Sequence, residues 1–161
     1  MTMASLPTNS YISEMYILRT QDCPKKDLEK RWSLPDRVFF ACGACQVLAH
    51  VFLEKISLVG AQAIWIKPSK GHTGNHIVVS FGDMVFDYHG YSKKQRFLAH
   101  YWKRARRVYP DWDAELVDIK PEALTTAGPS VVYDGLWLRA PHQFFKNPIP
   151  RAEAFLAKFP K

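Results

Sequence analysis

Apolar residues between positions 45 and 57 recur at helical spacing. Val47, Leu48, Val51, Phe52 and Ile56 are separated by one, three and four residues and share one helix face, with Glu54 and Lys55 on the other. The pattern predicts a helix that opens at Cys45, runs to about residue 57 and closes near Gly60. Before it, Val38-Phe39-Phe40 reads as a short β-like run entered through Asp36-Arg37. Further upstream the pattern predicts a loose arm over residues 1–9 and a short covering helix over 10–20. A break at Cys23-Pro24 follows, then a helical turn capped by Asp27 and running through Trp32.

Downstream, Ala63-Ile64-Trp65-Ile66 predicts a strand ended by Pro68, and residues 69–75 a polar loop with two glycines. His76-Ile77-Val78-Val79-Ser80-Phe81, then Gly82-Asp83, then residues 84–89 predict a β-hairpin with glycine first in a two-residue turn. That turn pairs Phe81 with Met84, Val79 with Phe86 and Ile77 with Tyr88, which puts six apolar or aromatic side chains on one face. The other face carries Val78, Ser80, Val85, His76, Asp87 and His89. His76 and Asp87 are diagonal neighbours there, and His89 faces His76. A one-residue slip would mix the two faces, so the pattern itself supports the register.

Ser92 with Gln95 reads as a capping box that opens a helix to about Tyr109, stopped by Pro110. Its inner stripe is Leu98, Tyr101 or Trp102, Ala105 and Val108. Residues 114–119 and 131–138 predict two more strands, the second interrupted by Asp134-Gly135. Pro150 opens a final helix with Ala152, Phe155, Leu156 and Phe159 inside.

The chain of 161 residues is 47% hydrophobic, enough for one cored domain over 1–161, and carries no repeat and no apolar run long enough to span a bilayer. Its start lacks the features of a secretory signal, and three cysteines do not make a disulfide framework, so the expected setting is reducing and cytoplasmic. The net charge of +7 is concentrated in Lys93, Lys94, Arg96, Lys103, Arg104, Arg106 and Arg107. That segment reads as the solvated face of a helix rather than a nucleic-acid site.

Chemistry enters at Cys45. A cysteine in the first turn of a buried helix meets unpaired N–H groups and the positive end of the helix dipole, which favour a thiolate. A carboxylate beside an imidazole fixes its tautomer and steadies its charged form. Cys45, His76 and Asp87 therefore supply nucleophile, base and orienter, with no cofactor and no metal required.

Cys42-Gly43-Ala44-Cys45 resembles the C-G-[SA]-C segment of papain-type cysteine proteases, in which the second cysteine is the nucleophile. Gln46 replaces that pattern's aromatic residue. The order of cysteine on a helix, histidine on a strand and aspartate on the next strand looks more like the compact transglutaminase-like branch of the papain-like superfamily. Arylamine N-acetyltransferases and bacteriocin-processing peptidases share that order. The resemblance covers roughly residues 38–90. It implies an α+β fold, N-terminal helices packed on an antiparallel sheet, with Cys45 as nucleophile, His76 as base and Asp87 as orienter. It also implies hydrolysis or acyl transfer at an amide, ester or isopeptide bond of a peptide, protein or small acyl substrate. Backbone N–H groups at Cys45 are the expected oxyanion donors.

Two other chemistries fit parts of the pattern. Cys42-x-x-Cys45 before a helix also looks like a thioredoxin-type disulfide-exchange site, although residues 1–37 do not read as the strand–helix lead-in of that fold. Cys42, Cys45, His72 and His76 could ligate zinc in a non-catalytic basic module, across a gap longer than usual finger spacings.

Overall fold

Asp27 accepts the backbone N–H of Lys30 at 3.0 Å and so starts α1 (Leu28–Trp32), as its sequence position predicts. The computed structural model describes residues 26–69 and 71–159. The arm over 1–9, the helix over 10–20 and the Cys23 break lie outside the described residues.

Residues 38–40 are not β-like. They belong to α2 (Asp36–Ala41), which buries Phe39 and Phe40 completely. A run of three apolar residues is too short to distinguish strand from helix, and tertiary packing decides it here. Arg151 fixes this helix. Its guanidinium donates to Asp36 at 2.8 Å and to the carbonyls of Trp32 and Leu34 at 2.6 Å each, and lies over the Phe39 ring.

The helix predicted from Cys45 is α3 (Cys45–Lys55). Its apolar stripe is buried as expected, with Val47, Leu48, Val51, Phe52 and Ile56 at most 2% exposed. Beyond it come β1 (Gln62–Pro68), β2 (His76–Phe81), β3 (Met84–Asp87), β4 (Gly90–Lys93), α4 (Lys94–Val108) and β5 (Ala114–Ile119). The five strands form one antiparallel sheet in the order β4-β3-β2-β1-β5.

The hairpin register holds for the three pairs nearest its turn and not for the pairs expected beyond them, Ile77 with Tyr88 and His76 with His89, because the chain turns away after Asp87. Val79 pairs with Phe86, Ser80 with Val85 and Phe81 with Met84. Gly82 turns at φ +57°, a conformation other residues adopt poorly. Ile77, Val79, Phe81, Met84, Phe86 and Tyr88 all enter the core on the side of α3.

The second face of the hairpin is not wet. Val78 and Val85 join Ile64, Ile66, Phe97 and Trp112 in a smaller core under α4. Helices therefore cover both faces of the sheet, and β2 and β3 are buried along their whole length. The two valines on the face that also carries His76 and Asp87 are the residues that call for this second cover.

Three local expectations change with it. Ser92 does not cap α4; it lies in β4 opposite Val85, because the chain turns at Tyr88-His89 and adds a fourth strand. Phe97 takes the inward position on α4, and Val108 is 70% exposed. Residues 131–138 form only the short strand β7 (Trp137–Leu138), paired with β6 (Gly128–Pro129), and Val131 and Val132 are exposed. The last helix, α5 (Ile149–Leu156), opens at proline and buries Ala152, Phe155 and Leu156 as predicted. Among the described residues no helix is long and apolar enough to cross a membrane.

Candidate active site

Helix α3 lies on the sheet face opposite the one that carries His76 and Asp87. Its first turn reaches the sheet margin where His76 opens β2 and Asp87 ends β3. Cys45 and His76 come together there, and Cys45 acts on the charge of the imidazole. The Nε2 of His76 lies 2.9 Å from Oδ2 of Asp87, so Nδ1 is the ring nitrogen left for the Cys45 sulfur. The structure thus brings the three residues together, with His76 4% and Asp87 3% exposed.

His89 stands elsewhere than the register suggested. It sits in the turn between β3 and β4, not opposite His76, which pairs with Ile66 of β1. From the turn, its backbone N–H donates to Asp87 Oδ1 at 2.8 Å and its Nδ1 lies 3.0 Å from the same oxygen. An ionised carboxylate only accepts, so both imidazoles donate to Asp87.

Burial disfavours the charged form of each member. For His76 the hydrogen bond to Asp87 and the negative charge of Asp87 and Cys45 outweigh burial and raise its pKa to about 10. For Asp87 burial again opposes ionisation, but hydrogen bonds from His76 and His89 hold the carboxyl well below the usual range. The site therefore favours an imidazolium–carboxylate pair at neutral pH.

Aromatic rings hold the imidazole. Tyr101 of α4 stacks on His76 with ring planes 3° apart, and Tyr88 meets it edge-on. The Tyr101 hydroxyl donates to the Gly74 carbonyl. Burial, then Tyr88, Cys45 and Asp87, push its pKa up, so it stays a neutral donor. Trp112 donates to the Thr73 carbonyl at 2.8 Å and Trp65 to the Asn75 side chain at 2.9 Å. The glycine loop that delivers His76 is thereby pinned at three successive residues.

The cysteine side is fixed equally closely. Gly43 has φ +87°, and a Cβ there would lie 1.7 Å from the Arg31 guanidinium, which donates to the Cys42 carbonyl. Only glycine fits both demands. Gln46 is buried, donates to the carbonyls of Gly43 and Arg139 at 3.0 Å each, and accepts from the Cys45 thiol at 3.7 Å. The carbonyl of Ala44 takes the N–H groups of Val47 and Leu48, which leaves those of Cys45 and Gln46 without an acceptor inside the helix.

The sequence pattern does not single out Arg31, Gln46 or Tyr101 as site residues. Gln46 had one visible signal, a polar residue in the first turn of an apolar helix. Cys42 and Cys45 are not joined in a disulfide. The zinc arrangement does not form, since no three metal-ligating side chains converge among the described residues and His72 stacks instead on Tyr109. Cys45 and His76 open into a groove of about 840 Å³, walled by the 71–75 loop, α4 and residues 135–139. No protein family, curated protein or solved structure matches the chain.

Proposed function

We propose that this protein is a thiol-dependent hydrolase or acyltransferase built on a papain-like, transglutaminase-like core. The observation that carries the reading is the buried hydrogen bond between His76 and Asp87, with Cys45 beside the same imidazole at an open groove. The His76 imidazolium holds the proton that has left Cys45, and the thiolate attacks a substrate carbonyl carbon. The oxyanion forms where the first-turn N–H groups of Cys45 and Gln46 point. The imidazolium returns its proton to the leaving nitrogen or oxygen as the carbon–heteroatom bond breaks, leaving a thioester. Water or an amine, deprotonated by the same imidazole, then releases the acyl group.

The His76–Asp87 pair beside Cys45 favours acyl chemistry over disulfide exchange. Incubation with p-nitrophenyl acetate tests the reading by intact and peptide mass measurement. A transient acetyl group on Cys45, with a burst of nitrophenol, is expected. Acetylation spread over lysines with none on Cys45 would reject it.

A further inference from the structure

The arginines that line the groove over Cys45 have partners within the protein, and no Asp or Glu lines it among the described residues. Arg31 donates to the Cys42 carbonyl, and Arg139 donates to the Gln143 carbonyl at 3.4 Å. The apolar side chains of the lining are left uncovered. Tyr101, Ala105 and Val108 are spaced by four and three residues, so they share the face of α4 that walls the groove. Tyr101 stacks on His76, while Val108, on the stripe that the sequence turns inward, is 70% exposed. Val108 lies seven residues beyond Tyr101, about 10 Å along the helix axis, the length of an extended chain of about eight carbons. On the 135–139 wall, Leu136 and Leu138 pack on the main core, and Trp137 between them is 59% exposed. Of the large apolar side chains exposed among the described residues, Val108 and Trp137 line the groove and the others do not. A single exposed apolar residue needs no explanation, but two gathered in one concavity beside a nucleophile mark a binding surface.

We propose that the groove selects an acyl donor with a neutral, apolar chain as long as that span, with Val108 and Trp137 as the specificity-determining residues. The assignment rests on Cys45 being the nucleophile and names the class of substrate it attacks. The reacting carbonyl sits at Cys45, and the chain runs along α4 past Ala105 to Val108, with Trp137 covering it from the 135–139 wall. Binding then removes from water the apolar surface of the chain and of both side chains together. A chain that carries a charge loses this gain, because the charge must be desolvated among apolar groups.

The test compares N-octyl iodoacetamide with iodoacetamide, which alkylate a thiol in the same way and differ in the apolar chain. Using the full-length folded protein and submicellar reagent, the octyl-to-unsubstituted rate ratio at Cys45 is expected to exceed that of the urea-unfolded chain about thirtyfold or more. The same chain ending in a carboxylate or an ammonium should lose most of that gain. Trp137→Ala and Val108→Asn should each lower the octyl ratio about fivefold, and both sites are exposed, so neither change opens a core cavity. Val131→Asn, at an exposed valine outside the groove, should move the ratio less than about twofold. A ratio no higher than in the unfolded chain, an equal gain from a charged chain, or an equal drop in Val131→Asn would overturn the proposal. Alkylation needs no acyl transfer. The acyl-transfer reading fails separately, by absence of an acetyl group on Cys45, so each result assigns the fault to one inference.

Discussion

The imidazole Nδ1 of His89 lies 3.0 Å from Oδ1 of Asp87, and the backbone N–H of His89 donates to the same oxygen at 2.8 Å. Two residues apart at a hairpin turn, they form a clamp on the carboxylate that orients His76. His89 acts through Asp87 and does not line the groove, so it is a positioning residue. His89→Phe is expected to lower kcat ten- to a hundredfold with KM nearly unchanged, since a charge-assisted hydrogen bond contributes about 1.5–3 kcal/mol. His89→Asn, which can still donate from a side-chain nitrogen, should recover part of the loss. Steady-state ester hydrolysis measures both. An unchanged kcat in His89→Phe would show that the clamp is dispensable.

The motif cysteines differ in setting, and their reactivity should differ too. His76 is protonated through neutral pH, so an imidazolium faces Cys45 even at pH 6. A simple thiol titrating near 8.5 would have well under 1% thiolate there. Iodoacetamide at pH 6 followed by peptide mapping should label Cys45 far ahead of Cys42 and Cys23. Cys45→Ser should abolish ester turnover and Cys42→Ser should keep most of it. Equal loss in both would point to disulfide exchange.

Stability should depend on pH through the buried pair, with a definite sign. The raised pKa of His76 contributes stability that is fully present below the ordinary value of 6.5 and is lost as pH rises toward about 10. The lowered pKa of Asp87 contributes stability present above the ordinary value of 3.8 and lost as pH falls further. The pair therefore stabilises most between about pH 4 and 6.5. Asp87→Asn should flatten this profile in thermal melts and reduce activity at least a hundredfold by holding the wrong His76 tautomer. A wild-type melting temperature that climbs steadily from pH 6.5 to 9 would contradict the linkage.

Gly43→Ala should destabilise the protein by more than about 2 kcal/mol, through a side chain at positive φ and displacement of a buried arginine. Urea titration reads this directly. Gly60→Ala is the comparison, because it also has positive φ (75°) yet nothing within 4 Å of the added carbon. The difference between the two isolates the clash with Arg31. Equal losses would mean that Arg31 yields without cost.

The sequence alone determined the elements whose signal is periodic and local. The stripe of Val47, Leu48, Val51 and Phe52 required a helix starting at Cys45. The two-residue turn at Gly82-Asp83 required a register that places His76 and Asp87 on one face. Both follow from backbone geometry, which repeats every 3.6 or 2 residues whatever the environment. From these alone Cys45, His76 and Asp87 could be named together.

Tertiary structure decided what periodicity does not encode. Whether Phe39 and Phe40 lie in strand or helix depends on Arg151, more than a hundred residues away, bonding to Asp36 and the turn before it. Whether the face of His76 and Asp87 is wet depends on α4 folding over Val78 and Val85. That cover removes water from the pair, so that an imidazolium and a carboxylate can be stable only by holding each other. The placement of His89 follows from a fourth strand that turns the chain at Tyr88. Each is a contact between residues far apart in the chain, and such contacts are set by the packing of whole elements, which no local spacing records.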